Sequence, residues 1–186
     1  MDSADLNGSK TDFCERLQRF RNARYAEHER EQVGSLFPFS TEAIRQDDDA
    51  ILEHACQVLA DRVNGDALTA VAALVLINGI VQTPRETLTE YFGEEVADLV
   101  DAASTPFDSA CGNVVLWERA LQQMAEAPAD AQRVRLALLL GQIEHSPDAT
   151  GHIPFWHQEA KTMSSGDPYL QRRVIERLEA AWANAQ

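Results

Sequence analysis

At 186 residues the chain has the size of one domain that can close its own core without a disulfide or a structural metal. Its 16 basic residues face 30 acidic ones, a net charge of −14 at pH 7. That balance excludes general nucleic-acid binding, which needs Lys and Arg against phosphates, and opposes docking on an anionic membrane surface. Aromatics make up only 7% while Ala and Leu abound, a mixture that favours helix over strand.

Residues 1–10 are small and polar and are expected to form a disordered tail ahead of a single domain over 11–186. Phe13, Leu17, Phe20, Ala23 and Ala26 recur every three or four residues and predict a helix over 11–32, ended by Gly34 and Pro38. A loop is expected over 34–46. Asp47, Asp48 and Asp49 look like a metal-binding run, but they precede the periodic stretch Ile51, Leu52, Ala55, Cys56, Leu59, Val63. They are therefore read as caps of a helix N-terminus, with Asn64-Gly65 as its stop.

From Asp66 the chain is apolar nearly all round (Leu68, Val71, Leu74, Val75, Ile77), the mark of a helix buried on every side, with Asn78-Gly79 read as its stop. Thr83-Pro84-Arg85-Glu86 predicts a capped short helix to Gly93, followed by another over 94–104 with Val96, Leu99 and Val100 inward. After a loop over 105–112, Val114, Leu116, Trp117, Leu121 and Met124 mark a helix over 113–127. Pro128 and Asp130 open a second strongly apolar helix (Val134, Leu136 to Leu140, Ile143), expected to pack on the first. A loop over 146–151, a helix over 154–163 and a last helix opened by Asp167-Pro168, with Leu170, Val174, Leu178 and Trp182 inward, complete the chain. No strand pattern or repeat stands out, so the expected fold class is all-α, one bundle of eight or nine helices.

Cys14, Cys56 and Cys111 are odd in number and far apart, without a CxxC or Cys/His cluster, and are expected to be reduced thiols of a cytoplasmic protein. No apolar segment follows a basic start, and the longest apolar run, 70–77, is too short for a membrane span; no signal peptide and no membrane partner are expected.

The segment 70–104, AVAALVLINGIVQTPRETLTEYFGEEVADLVDAAS, resembles the signature stretch of RelA/SpoT-type HD domains, commonly AALLHDVVEDT, a short helix, then FGEEVAxLVDxVT. The match is close over 92–101. Upstream, HACQVLA from His54 is similar to the family's HPxxVAxILA helix. Downstream, Trp117-Glu118-Arg119 and Arg135 to Leu138 are similar to the helix pair that ends in KLADRLHN. The resemblance covers roughly 50–145 and implies an HD-domain-like helical bundle. It further implies removal of the 3′-pyrophosphate of guanosine tetraphosphate with a bound Mn²⁺, held by a His, the His-Asp doublet and a later Asp, beside a catalytic Glu-Asp pair.

Residue by residue the chain departs from that pattern. The doublet falls on Ile77-Asn78, the Glu-Asp pair on Val81-Gln82 and the later Asp on Leu138. The first His falls on His54, without the Pro that follows it in the family; a competing alignment puts that position near Thr41 or Glu42. Apolar side chains cannot coordinate an ion, and a lone His does not hold Mn²⁺ against water. The family's basic grip near the first helix reads His28-Glu29-Arg30-Glu31-Gln32 here, with Glu mixed in.

The expectation is thus a degenerate, catalytically inactive relative with no metal and no cofactor. It would bind a protein partner or a small nucleotide-like ligand, with His54, Asn78 and Gln82 as the remnant of the cleft. One alternative is a metal-dependent phosphohydrolase with ligands relocated to His54, Glu144 and His145, for which Mn²⁺ would be the cofactor. Another is an acidic interaction or inhibitor protein whose charge steers it to a cationic surface. His145 also reads as a cation complementing a helix C-terminus, and Phe155 and Trp156, between His152 and His157, as packing residues.

Overall fold

The computed structural model describes residues 5–32, 41–60, 65–104, 113–145 and 149–184, and all its regular elements are helical. In chain order these are α1 (Asp5–Gln32), α2 (Thr41–Leu59), α3 (Gly65–Ile80), α4 (Arg85–Phe92), α5 (Glu94–Ala103), α6 (Val114–Glu126), α7 (Ala129–His145), a 3-10 turn (Ala149–His152), α8 (Ile153–Thr162) and α9 (Pro168–Asn184). Among them no helix is long and apolar enough to cross a membrane.

The two helices without a polar face form the centre, as their composition requires. On α3, Leu68, Val71, Leu74 and Ile77 are buried; on α7, Val134 and every residue from Leu136 to Leu140 are buried. Each buried Val, Leu or Ile among them contributes roughly 1.5–3 kcal/mol. The most extensive packing of α7 is on α2 rather than on α3. Gly141 is the reason: a Cβ there would lie 2.8 Å from the Ile51 carbonyl oxygen, so the two backbones touch at this crossing. The two polar residues inside α7 are spent on neighbours. Gln132 donates to the carbonyls of Met124, Ala125 and Ala127 at the end of α6 and accepts from Ser165 N at 2.9 Å; Arg135 is paired with the buried Glu159 of α8. Phe155 packs edge-on to Trp117, and Trp156 is buried beneath the His152 ring, so both serve packing.

Several expected boundaries move. Residues 5–10, expected to belong to a tail, are helical, because α1 begins at Asp5; extending a helix already nucleated costs little per residue. Residues 1–4 lie outside the described residues, as do 33–40, 105–112 and 146–148, where loops were expected. α2 begins at Thr41, inside the expected loop, so the Asp47–Asp49 run sits in mid-helix and caps nothing. Its carboxylates reach α1 instead. α2 ends at Leu59, Gly65 opens α3, and Asn64 is outside the described residues.

Asn78-Gly79 does not stop α3, which runs on to Ile80; the Asn78 side chain accepts from Thr83 N at 2.8 Å and shapes the turn beyond. Pro84, not Thr83, caps α4, since its carbonyl takes the first intrahelical bonds and the Thr83 hydroxyl turns back to the Val81 carbonyl. Val114 and Leu116, apolar residues that mark α6, are exposed at its start, and Trp182, expected inward, is exposed near the end of α9.

The FGEEVADLVD segment has a clear structural role. Phe92 enters the core, while Gly93 adopts φ +90°, a conformation open to glycine, and turns the chain from α4 into α5. Arg85 of α4 then reaches Glu94, Asp98 and Asp101 of α5, clasping the two short helices. α1 rests on this corner: Phe13 and Phe20 meet the Phe92 ring edge-on at 5.8 and 5.2 Å, and Arg16 donates to the Tyr91 carbonyl.

Candidate functional site

Three of the positions where the resemblance sets metal and catalytic groups, Ile77, Val81 and Leu138, are core, while Asn78 and His54 are partly exposed and Gln82 is exposed. Ile77 is 2% exposed, Val81 8% and Leu138 0%. None carries a donor atom, and the space a cation and its water would need is filled by aliphatic carbon. These residues do not fit a divalent cation.

The three remnant residues do not come together. His54 lies at the far end of the α2–α7 pair. The helices run parallel there: Ile51 meets Gly141, and one turn further on the His54 ring stands 6.2 Å from the His145 ring. Seven residues of helix separate Leu138 from His145, a rise of roughly 10 Å, so His54 and Leu138 face different surroundings. Burial lowers the His54 pKa below the ordinary imidazole value, against the pull of Glu144 and with help from Arg173, His145 and Arg177. Its Nε2 is buried without a partner. Glu144 is gripped by Arg177 through two bonds, at 2.7 and 2.6 Å, which occupies the carboxylate a relocated metal would require. Among the described residues no group of three or more His, Cys, Asp or Glu is placed to hold a metal ion.

Asn78 and Gln82 sit elsewhere, at the end of α3 beneath the second half of α1. There α1 changes character. Its inward face is apolar through Phe13, Leu17 and Phe20, then polar through Arg21, Arg24, Tyr25 and His28 at the same helical spacing. Arg21, buried, donates to Asp49 Oδ1 at 2.6 Å, and the buried Tyr25 hydroxyl donates to Asp48 Oδ2 at 2.8 Å. Arg24 binds Glu27 and donates to the Gln82 carbonyl at 2.9 Å, while the Gln82 side chain points to solvent. One α1 turn thereby bridges the middle of α2 and the end of α3.

This polar seam is electrostatically tense. Burial pushes the Asp48 carboxyl up to about 6, against the opposing effects of Tyr25 and Arg21, and burial lifts the Tyr25 phenol to about 12. Arg21 is raised by Asp49 and Tyr25 even though burial alone would lower it. Two guanidinium nitrogens on this face, Arg21 Nε and Arg24 Nε, are buried without an acceptor, and His28 Nε2 is buried without a hydrogen-bond partner. Buried donors without partners cost about 1–3 kcal/mol each, and their concentration on one helical face is what distinguishes the seam from the rest of the core. Cys56, free and half-buried, lies close enough to feel Arg21, but burial raises its thiol pKa, so it is not an activated nucleophile.

Sequence reasoning missed Arg21, Arg24, Tyr25, Asp48 and Asp49. A signal was present: polar residues continuing the apolar stripe of α1 at its own period. No family model, no curated protein and no solved structure matches the chain.

Proposed function

We propose that the chain is a catalytically silent HD-like binding module that receives a small nucleotide-like ligand beneath the second half of α1. The observation that carries this reading is the contrast within one region. Ile77, Val81 and Leu138, three of the positions the resemblance gives to metal and catalytic groups, are buried aliphatic carbon, while α1 presents buried guanidinium nitrogens lacking acceptors. A ligand bearing oxygen acceptors relieves that deficit; an ion does not. The carboxylates of Asp48 and Asp49 and the net charge of −14 disfavour a polyphosphate, so a nucleoside or a nucleoside monophosphate suits the seam better. Entry requires the second half of α1 to lift, and polar contacts rather than apolar burial hold that half down.

The test is a thermal-shift series with guanosine, guanosine monophosphate and guanosine tetraphosphate, run beside a turnover assay of the tetraphosphate with Mn²⁺. Ligand at about 100 times its Kd adds about 2.7 kcal/mol, a rise in Tm of roughly 5–10 °C for a chain of this length. Stabilisation by the first or second compound, abolished in Arg24→Ala, supports the reading. Hydrolysis of the tetraphosphate removes the silent assignment, and no shift with any of the three removes the ligand.

A further inference from the structure

A second candidate site lies away from the seam, between α8 and α9. These helices form an antiparallel hairpin tied at its closed end, where Gln171 Nε2 donates to the Ala160 carbonyl at 2.9 Å. α9 has 17 residues and α8 only 10, so the last turns of α9 extend past the start of α8 and leave a groove open. Its volume is about 320 Å³, and Ile153, Pro154, His157, Leu178, Glu179 and Trp182 line it. Pockets that take small ligands start near this size and share its make-up, apolar walls with a few polar groups.

Trp182 is the informative residue. The other two tryptophans are buried and engaged: Trp117 donates its indole N–H to Gln158 at 2.7 Å, and Trp156 stacks on His152. Trp182 is 44% exposed, with its ring on the groove. Next to it stands Glu179, whose carboxylate is mostly exposed and lies 3.7 Å from His157 Nε2, too far for a hydrogen bond. An indole ring and a largely exposed carboxylate, approached only loosely by His157, over an aliphatic floor select a positive head on a hydrocarbon body, because the ring quadrupole and the carboxylate both attract a cation. The net charge of −14 draws the same class of ligand and repels anions.

We propose that the α8–α9 groove binds a small amphiphilic cation, with its hydrocarbon part against Ile153, Pro154 and Leu178 and its ammonium group between Glu179 and Trp182. This site is independent of the seam under α1, so the two stand or fall separately.

The test titrates the intact protein with hexyltrimethylammonium, and in parallel with hexyl sulfate and hexanol, all below micelle-forming concentrations. Tryptophan emission is the readout, because Trp182 is the exposed indole and reports directly on the groove. The expected result is a saturable change with the ammonium compound at least several-fold tighter than with the alcohol, and none with the sulfate. Glu179→Gln should weaken binding by roughly two- to fivefold, the range of an exposed ion pair. Trp182→Phe should remove the fluorescence response while binding followed by calorimetry persists at reduced affinity. Equal response to all three compounds, no response to the ammonium compound, or an unchanged affinity in Glu179→Gln overturns the proposal. So does sedimentation showing a dimer that buries Trp182, which would make a second copy the occupant.

Discussion

Replacing Asp48 by Asn should stabilise the protein at neutral pH, and the size of the effect follows from the surroundings of the carboxyl. Asp48 titrates at about 6 in the fold against 3.8 for an ordinary side chain, chiefly because α1 covers it. A group whose folded pKa is raised above its unfolded value stabilises while protonated and loses that contribution as pH climbs through the folded value. The native protein should therefore be most favoured by this residue below pH 3.8 and lose its contribution between about pH 4 and 6. At full burial the loss would approach about 3 kcal/mol; for a half-buried carboxylate in partial contact with solvent about 1–2 kcal/mol is the fair expectation. Asn keeps an oxygen for the Tyr25 hydroxyl and has no charge to desolvate.

Urea denaturation followed by circular dichroism, at intervals from pH 4 to 7.5, gives the difference between variant and parent directly. The variant should gain about 1–2 kcal/mol above pH 6.5, with the gain vanishing towards pH 4. His54, whose lowered pKa works with the opposite sign, losing stability as pH falls below 6.5, is common to both proteins and cancels in the difference. A variant weaker than its parent at pH 7.5 would show that the ionised carboxylate is held by Arg21 and would refute the argument.

Two further substitutions probe the core. Gly141→Ala places a methyl 2.8 Å from the Ile51 carbonyl and should force α2 and α7 apart, at a cost of about 1–3 kcal/mol in the same denaturation assay. Leu138→Asp restores a carboxylate where the resemblance would set a metal ligand. Buried without a partner, it should destabilise by more than about 3 kcal/mol, and added Mn²⁺ should not recover the loss in a thermal melt.

The sequence made some of this legible and hid the rest for physical reasons. α3 and α7 could be identified because a helix with no polar face has nowhere to sit but the interior, and that property is local. The Gly93 turn was equally plain, since the break between two amphipathic stretches fell on a glycine. The polar continuation of the α1 stripe was visible, but the partners that make it a seam were not. Arg21 and Asp49 are 28 residues apart, and Tyr25 and Asp48 are 23 apart, so no periodicity within one helix reveals that they meet. The Asp47–Asp49 run looked like a cap because such residues favour helix starts, yet its partners on α1 let it continue inside α2. His54 was chosen by aligning HACQVLA with the family's HPxxVAxILA helix. A match along the sequence is blind to the parallel run of α2 on α7, which carries His54 to His145 and away from Leu138.

Calorimetric titration of the purified protein with Mn²⁺ addresses the main assertion most simply, because it asks whether Ile77, Val81 and Leu138 have closed the place of an ion. No saturable uptake is expected at millimolar metal. One ion bound per chain with micromolar affinity, lost when α3 residues around Asn78 are replaced, would contradict it.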